Sequence, residues 1–141
     1  MRVSELLRQV HREVGQLESL RRQKSMLMRD AAEPKAIQYD KSKVSGGKQK
    51  DLSDTLISIE QRVARMDKLI MLRLEKIMRY REELYRLMEK LPDSPGKIAV
   101  QEHYLYRVPW SVVAKHINFN IGYTKQMAYK FILKIEEMAR G

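Results

Sequence analysis

The chain has 141 residues and no cysteine, so disulfide frameworks and thiolate chemistry are excluded. Its 28 Lys and Arg outnumber 18 Asp and Glu, giving a formal net charge of +10 at pH 7. That excess suits a polyanionic partner through counterion release, with solubility as the alternative reading. No signal peptide and no run of about twenty apolar residues is found, which argues against secretion and membrane spanning and predicts a cytoplasmic protein with no membrane partner.

In chain order, residues 1–29 read as an amphipathic helix. Val3, Leu7, Val10, Val14 and Leu17 recur at helical spacing, with Ser4 as the expected N-cap. Residues 30–50 read as a flexible basic linker, because Pro34, Gly46, Gly47 and five lysines interrupt any apolar period. Ser45-Gly46-Gly47-Lys48 lacks the preceding strand and the spacing of a phosphate-binding loop.

Residues 51–91 carry a seam of Leu52, Leu56, Ile59, Val63, Met66, Ile70, Ile77, Tyr80, Leu84, Leu87 and Leu91, spaced alternately by four and three and broken only at Arg73. Such a repeat predicts a coiled-coil helix, with Ile59, Val63, Met66 and Ile70 buried. Met66 on the seam, with Met71, Met78 and Met88 beside it, reads most simply as gap-filling core, with a promiscuous partner surface as the alternative. The preceding helix can fold back on this one as a hairpin or swap onto a second protomer.

Residues 92–141 predict three helices. Asp93-Ser94-Pro95 supplies a capping side chain and a proline for the first turn, and Ile98, Val100, Tyr104 and Leu105 follow as apolar surface. A second helix starts near Trp110, which should cover the core. Val113, the small Ala114, Ile117 and Phe119 suit a tight turn between crossing helices, and Asn120 caps the third. From that cap, Thr124, Met127, Phe131, Ile132 and Ile135 form an inward stripe. Gly122, Lys125, Gln126, Tyr129 and Lys130 lie opposite. A helix-turn-helix reads the major groove from the first turns of its second helix, so double-stranded DNA is the expected partner.

The string Tyr104-Leu105, Pro109-Trp110-Ser111-Val112-Val113-Ala114 and Asn118-Phe119-Asn120-Ile121-Gly122-Tyr123 resembles the C-terminal domain of phage transcriptional regulators of the ArpU and RinA type, relatives of region 4 of bacterial sigma factors. Tyr39-Asp40-Lys41-Ser42-Lys43-Val44 is similar to a stretch that family carries in its linker. The resemblance covers roughly the last hundred residues and implies promoter reading by Ile121, Gly122, Lys125 and Gln126. It departs from the family at Asn120, where a Ser or Thr cap is usual, at Ile121 and Gly122, where charged residues are expected, and at Ala128, which replaces a frequent His.

The whole is therefore expected to be all-α: an N-terminal long-helix hairpin or coiled coil, then a three-helix, sigma-region-4-like helix-turn-helix domain. Expected DNA-binding residues are Asn120, Ile121, Gly122, Tyr123, Lys125, Gln126, Tyr129 and Lys130. Gln126 is the best base reader, since its amide can pair bidentately with adenine. Lys125 and Lys130 at random positions would simply be solvated, and Gly122 is tolerated in any first turn. The positive charge is spread along the chain, so Arg8, Arg12, Arg21, Arg22 and Lys24 of the first helix can add to a phosphate-tracking surface only if the fold brings them there.

His11, His103 and His116 are scattered, with no second ligand at metal spacing, so no catalytic, metal or cofactor site is expected. A late-gene transcription regulator is the leading expectation. Bacterial RNA polymerase and a second copy of the chain are further candidate partners. A small terminase subunit recognising a packaging site and a coiled-coil adaptor binding RNA polymerase are the alternatives.

Overall fold

The computed structural model describes residues 2–32 and 52–140, without the side chains of 52–55. The Tyr39–Val44 stretch, the rest of the 33–51 connector and the Leu52 side chain lie outside the described residues. Among the described residues every element is helical: α1 (Val3–Ala32), α2 (Leu52–Met88), α3 (Pro95–Val100), a π-helical segment (Gln101–Leu105), α4 (Trp110–Ile117) and α5 (Ile121–Arg140). The chain forms two compact units, one of residues 17–73 and one of residues 1–16 with 74–141.

In the 17–73 unit, Leu17 and Ile70 are buried, while Ile59, Val63 and Met66 are half-buried and Leu56 is exposed. The seam pattern is thus fulfilled at Ile70 and only partly at its three predecessors. A Lys24–Asp67 ion pair at 2.7 Å joins the two helices. Both side chains are substantially exposed, so the pair contributes little, on the order of 0–1 kcal/mol. Leu69, Met71 and Leu72 stand exposed around Ile70.

The other unit contains the better core. Val3, Leu6, Leu7, Val10 and Val14 of α1 are buried, as are Ile77, Leu84 and Met88 of α2. Met88 is the gap-filling methionine of the expectation; Met78 is exposed. Ser4 is not the N-cap of α1, because the helix already includes Val3. Its backbone N–H instead donates to Glu136 Oε1 at 3.2 Å, so the open start of α1 is satisfied by a side chain of α5. Glu13 pairs with Lys76 at 3.6 Å.

The reversal between α2 and α3 is closed by Lys97. This lysine is almost buried, and its Nζ donates to the Leu91 carbonyl and to Asp93 Oδ1, both at 3.1 Å. The expected start of α3 is present: extended Ser94 accepts the Lys97 N–H on its Oγ at 3.1 Å, and Pro95 sits in the first turn, where its missing N–H costs nothing. Val100 and Leu105 are fully buried, but Ile98 is exposed.

The π segment was not expected. Its last carbonyl, Leu105, accepts from Arg81 Nε at 3.0 Å and Nη2 at 2.6 Å, a charge-assisted pair supplied by α2. The same guanidinium lies 4.1 Å from the Tyr106 ring centroid, and the Tyr106 hydroxyl accepts from Tyr85 at 3.0 Å. Burial, followed by that hydrogen bond, pushes the Tyr85 phenol up to about 12. It stays protonated under ordinary conditions.

Candidate nucleic-acid interface

Three residues, Asn118, Phe119 and Asn120, connect α4 to α5. Asn118 adopts the left-handed conformation (φ 63°, ψ 41°). The Phe119 N–H then returns to the Ala114 carbonyl at 3.1 Å and the Asn118 N–H to the Lys115 carbonyl at 3.4 Å. This double return closes the end of α4, with asparagine where glycine is more usual. Val113 and Ala114 are buried where the helices meet and Ile117 is half-buried. Phe119 departs from expectation: it is exposed and lies against the Tyr123 ring at 5.1 Å.

Asn120 caps α5 as the sequence suggests. Its Oδ1 accepts the Tyr123 N–H at 2.7 Å, and its carbonyl accepts both the N–H and the hydroxyl of Thr124, at 3.0 and 2.8 Å. The inward face of α5 is Thr124, Ala128, Phe131, Ile132 and Ile135, all buried. Met127, placed on that stripe by its spacing, is only half-buried, and Ala128 occupies the close contact instead. All eight expected site residues, Asn120, Ile121, Gly122, Tyr123, Lys125, Gln126, Tyr129 and Lys130, are exposed over the first half of α5. A Cβ added at Gly122 would meet only Asn120 Oδ1, at an ordinary 3.5 Å, so nothing inside the chain requires glycine there.

The same unit holds a cluster that sequence spacing did not reveal. The Trp110 ring stacks on His103 with centroids 3.7 Å apart and planes 22° from parallel, and Tyr104 meets Trp110 edge-on at 6.1 Å. Trp110 is half-buried and covers the π segment rather than the centre of the helical core. His11 of α1 approaches His103 with centroids 4.8 Å apart, so two histidines far apart in sequence are neighbours. The His103 Nδ1–H donates to the Val108 carbonyl at 2.9 Å, and the His11 Nδ1–H donates to the His103 carbonyl at 3.0 Å. Separately, His116 Nδ1 contacts both carboxylate oxygens of Glu102, at 2.5 and 2.9 Å. Among the described residues, no three His, Asp or Glu side chains converge in a way that could hold a metal ion.

Burial holds the His103 pKa below its usual 6.5, and the nearby charges of His11, Lys125 and Arg107 act in the same direction against its hydrogen bond to Val108. The imidazole is therefore neutral at pH 7. A depressed histidine pKa stabilises the fold above the unfolded value, and that contribution is lost as pH falls below about 6.5. The melting temperature is expected to drop between pH 7.5 and 5.5 by more in the wild type than in His103→Phe, which retains a ring on Trp110 but cannot titrate. Equal pH slopes would remove His103 from this account.

No helix among the described residues is long and apolar enough to cross a membrane. No protein-family model, curated protein or solved structure matches the chain.

Proposed function

We propose that the chain is a sequence-specific DNA-binding transcription regulator of phage or prophage type, a late-gene activator in which residues 92–141 act as a sigma-region-4-like helix-turn-helix. In this reading α5 enters the major groove and the residues before position 92 supply a helical hairpin or coiled coil. The observation that carries it is the partition of α5: a capped N-terminal half exposes Lys125, Gln126, Tyr129 and Lys130, while Thr124, Ala128, Phe131 and Ile132 fix its other side in the core. Gly122, which the fold itself does not need, leaves room for close approach of a sugar-phosphate backbone. The protein carries no catalytic, metal or cofactor chemistry in this role, and its place is the cytoplasm of a bacterial host.

The test is binding to duplexes selected from random sequence. Lys125→Ala should weaken every duplex and make the salt dependence shallower by up to about one unit, as loss of one phosphate contact does. Gln126→Ala should relax preference at one base pair, at a cost of roughly 1–3 kcal/mol. Folded variants with wild-type affinity, preference and salt dependence would overturn the reading.

A second reading rests on the exposed Leu69, Met71 and Leu72 of the 17–73 unit, which suit a protein partner. A second copy of the chain and bacterial RNA polymerase are the proposed candidates. An adaptor would use this surface without DNA, and a small terminase subunit would use it to assemble into a ring that recognises a packaging site. Sedimentation separates a monomer, a dimer and a closed ring.

A further inference from the structure

Arg107 occupies a left-handed backbone conformation, with φ 57°. A non-glycine residue is strained there, so glycine would satisfy the backbone more easily. The residue nonetheless extends a long charged side chain from the connector between the π segment and α4. That side chain is not loose: it interacts with the rest of the chain, and its guanidinium lies directly over Gly15 of α1. A Cβ at Gly15 would overlap it, with Cζ only 2.8 Å away. Two costs, strain at Arg107 and a glycine inside a long helix, thus sustain one feature, an arginine laid across α1 at Gly15.

Further basic residues come from two other elements of the same unit, α1 and α5. One and two turns before Gly15, α1 carries Arg12 and Arg8, both exposed and neither ion-paired among the described residues. The charge of Arg8 reaches Tyr104, which also abuts His11 and Trp110. The charges of Lys125 and Arg107 both act on His103, whose ring lies 4.8 Å, between centroids, from His11 of α1. Trp110 stacks on the same His103 ring.

We propose that Arg107 is a DNA-phosphate anchor which, with Arg8 and Arg12, carries the duplex backbone from the exposed face of α5 onto the first turns of α1. The inference rests on the DNA-binding reading and extends it, because it places a phosphate-contacting role on a helix outside residues 92–141. The chemistry fits. An arginine offers five donors in a fixed fork, so one engaged within the protein still has donors for a phosphate, and contacts of this kind set position without reading sequence.

The decisive variant is Arg107→Gly, because the two roles of the residue predict opposite results. Glycine adopts φ 57° freely, so the melting temperature should hold or rise. Affinity for selected and unrelated duplexes alike should fall by about three- to tenfold, with a salt slope shallower by about one unit. Gly15→Ala should reduce affinity in the same non-specific manner, since it displaces the flexible end of Arg107. Arg8→Gln with Arg12→Gln, both surface changes, should lower the slope by up to about two units without altering melting. Should Arg107→Gly fail to fold, this double variant decides by the same readout.

Wild-type affinity and slope in the folded arginine variants, with Lys125→Ala and Gln126→Ala still impaired, would overturn the anchor and leave the DNA-binding reading standing. A wild-type chain that binds no duplex would remove both.

Discussion

Phe131→Ala is expected to lower the stability of the unit formed by residues 1–16 and 74–141 by about 3–5 kcal/mol, the range for emptying a buried aromatic site. Phe131 is 4% exposed, and its Cβ lies 3.3 Å from the position a Cβ at Gly96 would take, so the ring fills the seam where α3 meets α5. The same helix presents the proposed reading face, so the change should also abolish duplex binding once the unit melts. Chemical denaturation monitored by far-ultraviolet circular dichroism gives the number. A loss under about 1 kcal/mol would mean that α3 and α5 close over the vacated space or that the ring is not central to their contact.

Gly96→Ala should cost about 1–3 kcal/mol, although alanine is intrinsically the better helix former by up to about 1 kcal/mol. The added methyl would sit 2.7 Å from the Met127 carbonyl oxygen. That atom belongs to the backbone of α5 and cannot swing aside as a side-chain end can. Overpacking therefore exceeds the propensity gain, and α3 must lift from α5. An unchanged or higher midpoint in denaturant would show that α3 has more freedom than its contacts with α5 imply.

The contrast between Gly96 and Gly122 separates what was legible in the sequence from what was not. Two of three expected caps were legible because they are local: Ser94, with Pro95 after it, and Asn120 act within three or four residues of themselves and occupy their expected places, whereas Ser4 lies inside α1. Periodicity located the helices and the inward stripe of α5 but left neighbouring positions unresolved. Met127 and Ala128 both satisfy a spacing of three or four from Thr124, and only close packing selected alanine. The long seam had the same ambiguity on a larger scale. Spacing shows which residues share a stripe, whereas burial depends on what lies opposite, so Ile77 and Leu84 are fully buried while Leu56 is exposed.

Other features had no local sign. Arg107 and Asn118 take left-handed conformations without glycine, and Phe119 is apolar yet faces outward beside Tyr123. The meeting of His11 with His103 joins residues 92 positions apart. The eight proposed contact residues could be named from the sequence because they lie at the Asn120 cap and in the first half of the helix it starts. Arg107 was not, because its setting is made by a helix at the other end of the chain.

The π segment gives residues 101–105 a mechanical meaning beyond their side chains. A π turn winds more residues into each revolution than an α turn, so it works as an angular shim between α3 and everything that follows. Removing any one of its five residues would do more than shorten the chain. At about 100° of rotation per residue in an α-helix, the deletion would rephase the exit, swinging the Leu105 carbonyl away from Arg81 and Arg107 away from Gly15. Substitutions in this stretch can keep the dial setting, but single-residue insertions and deletions turn the dial.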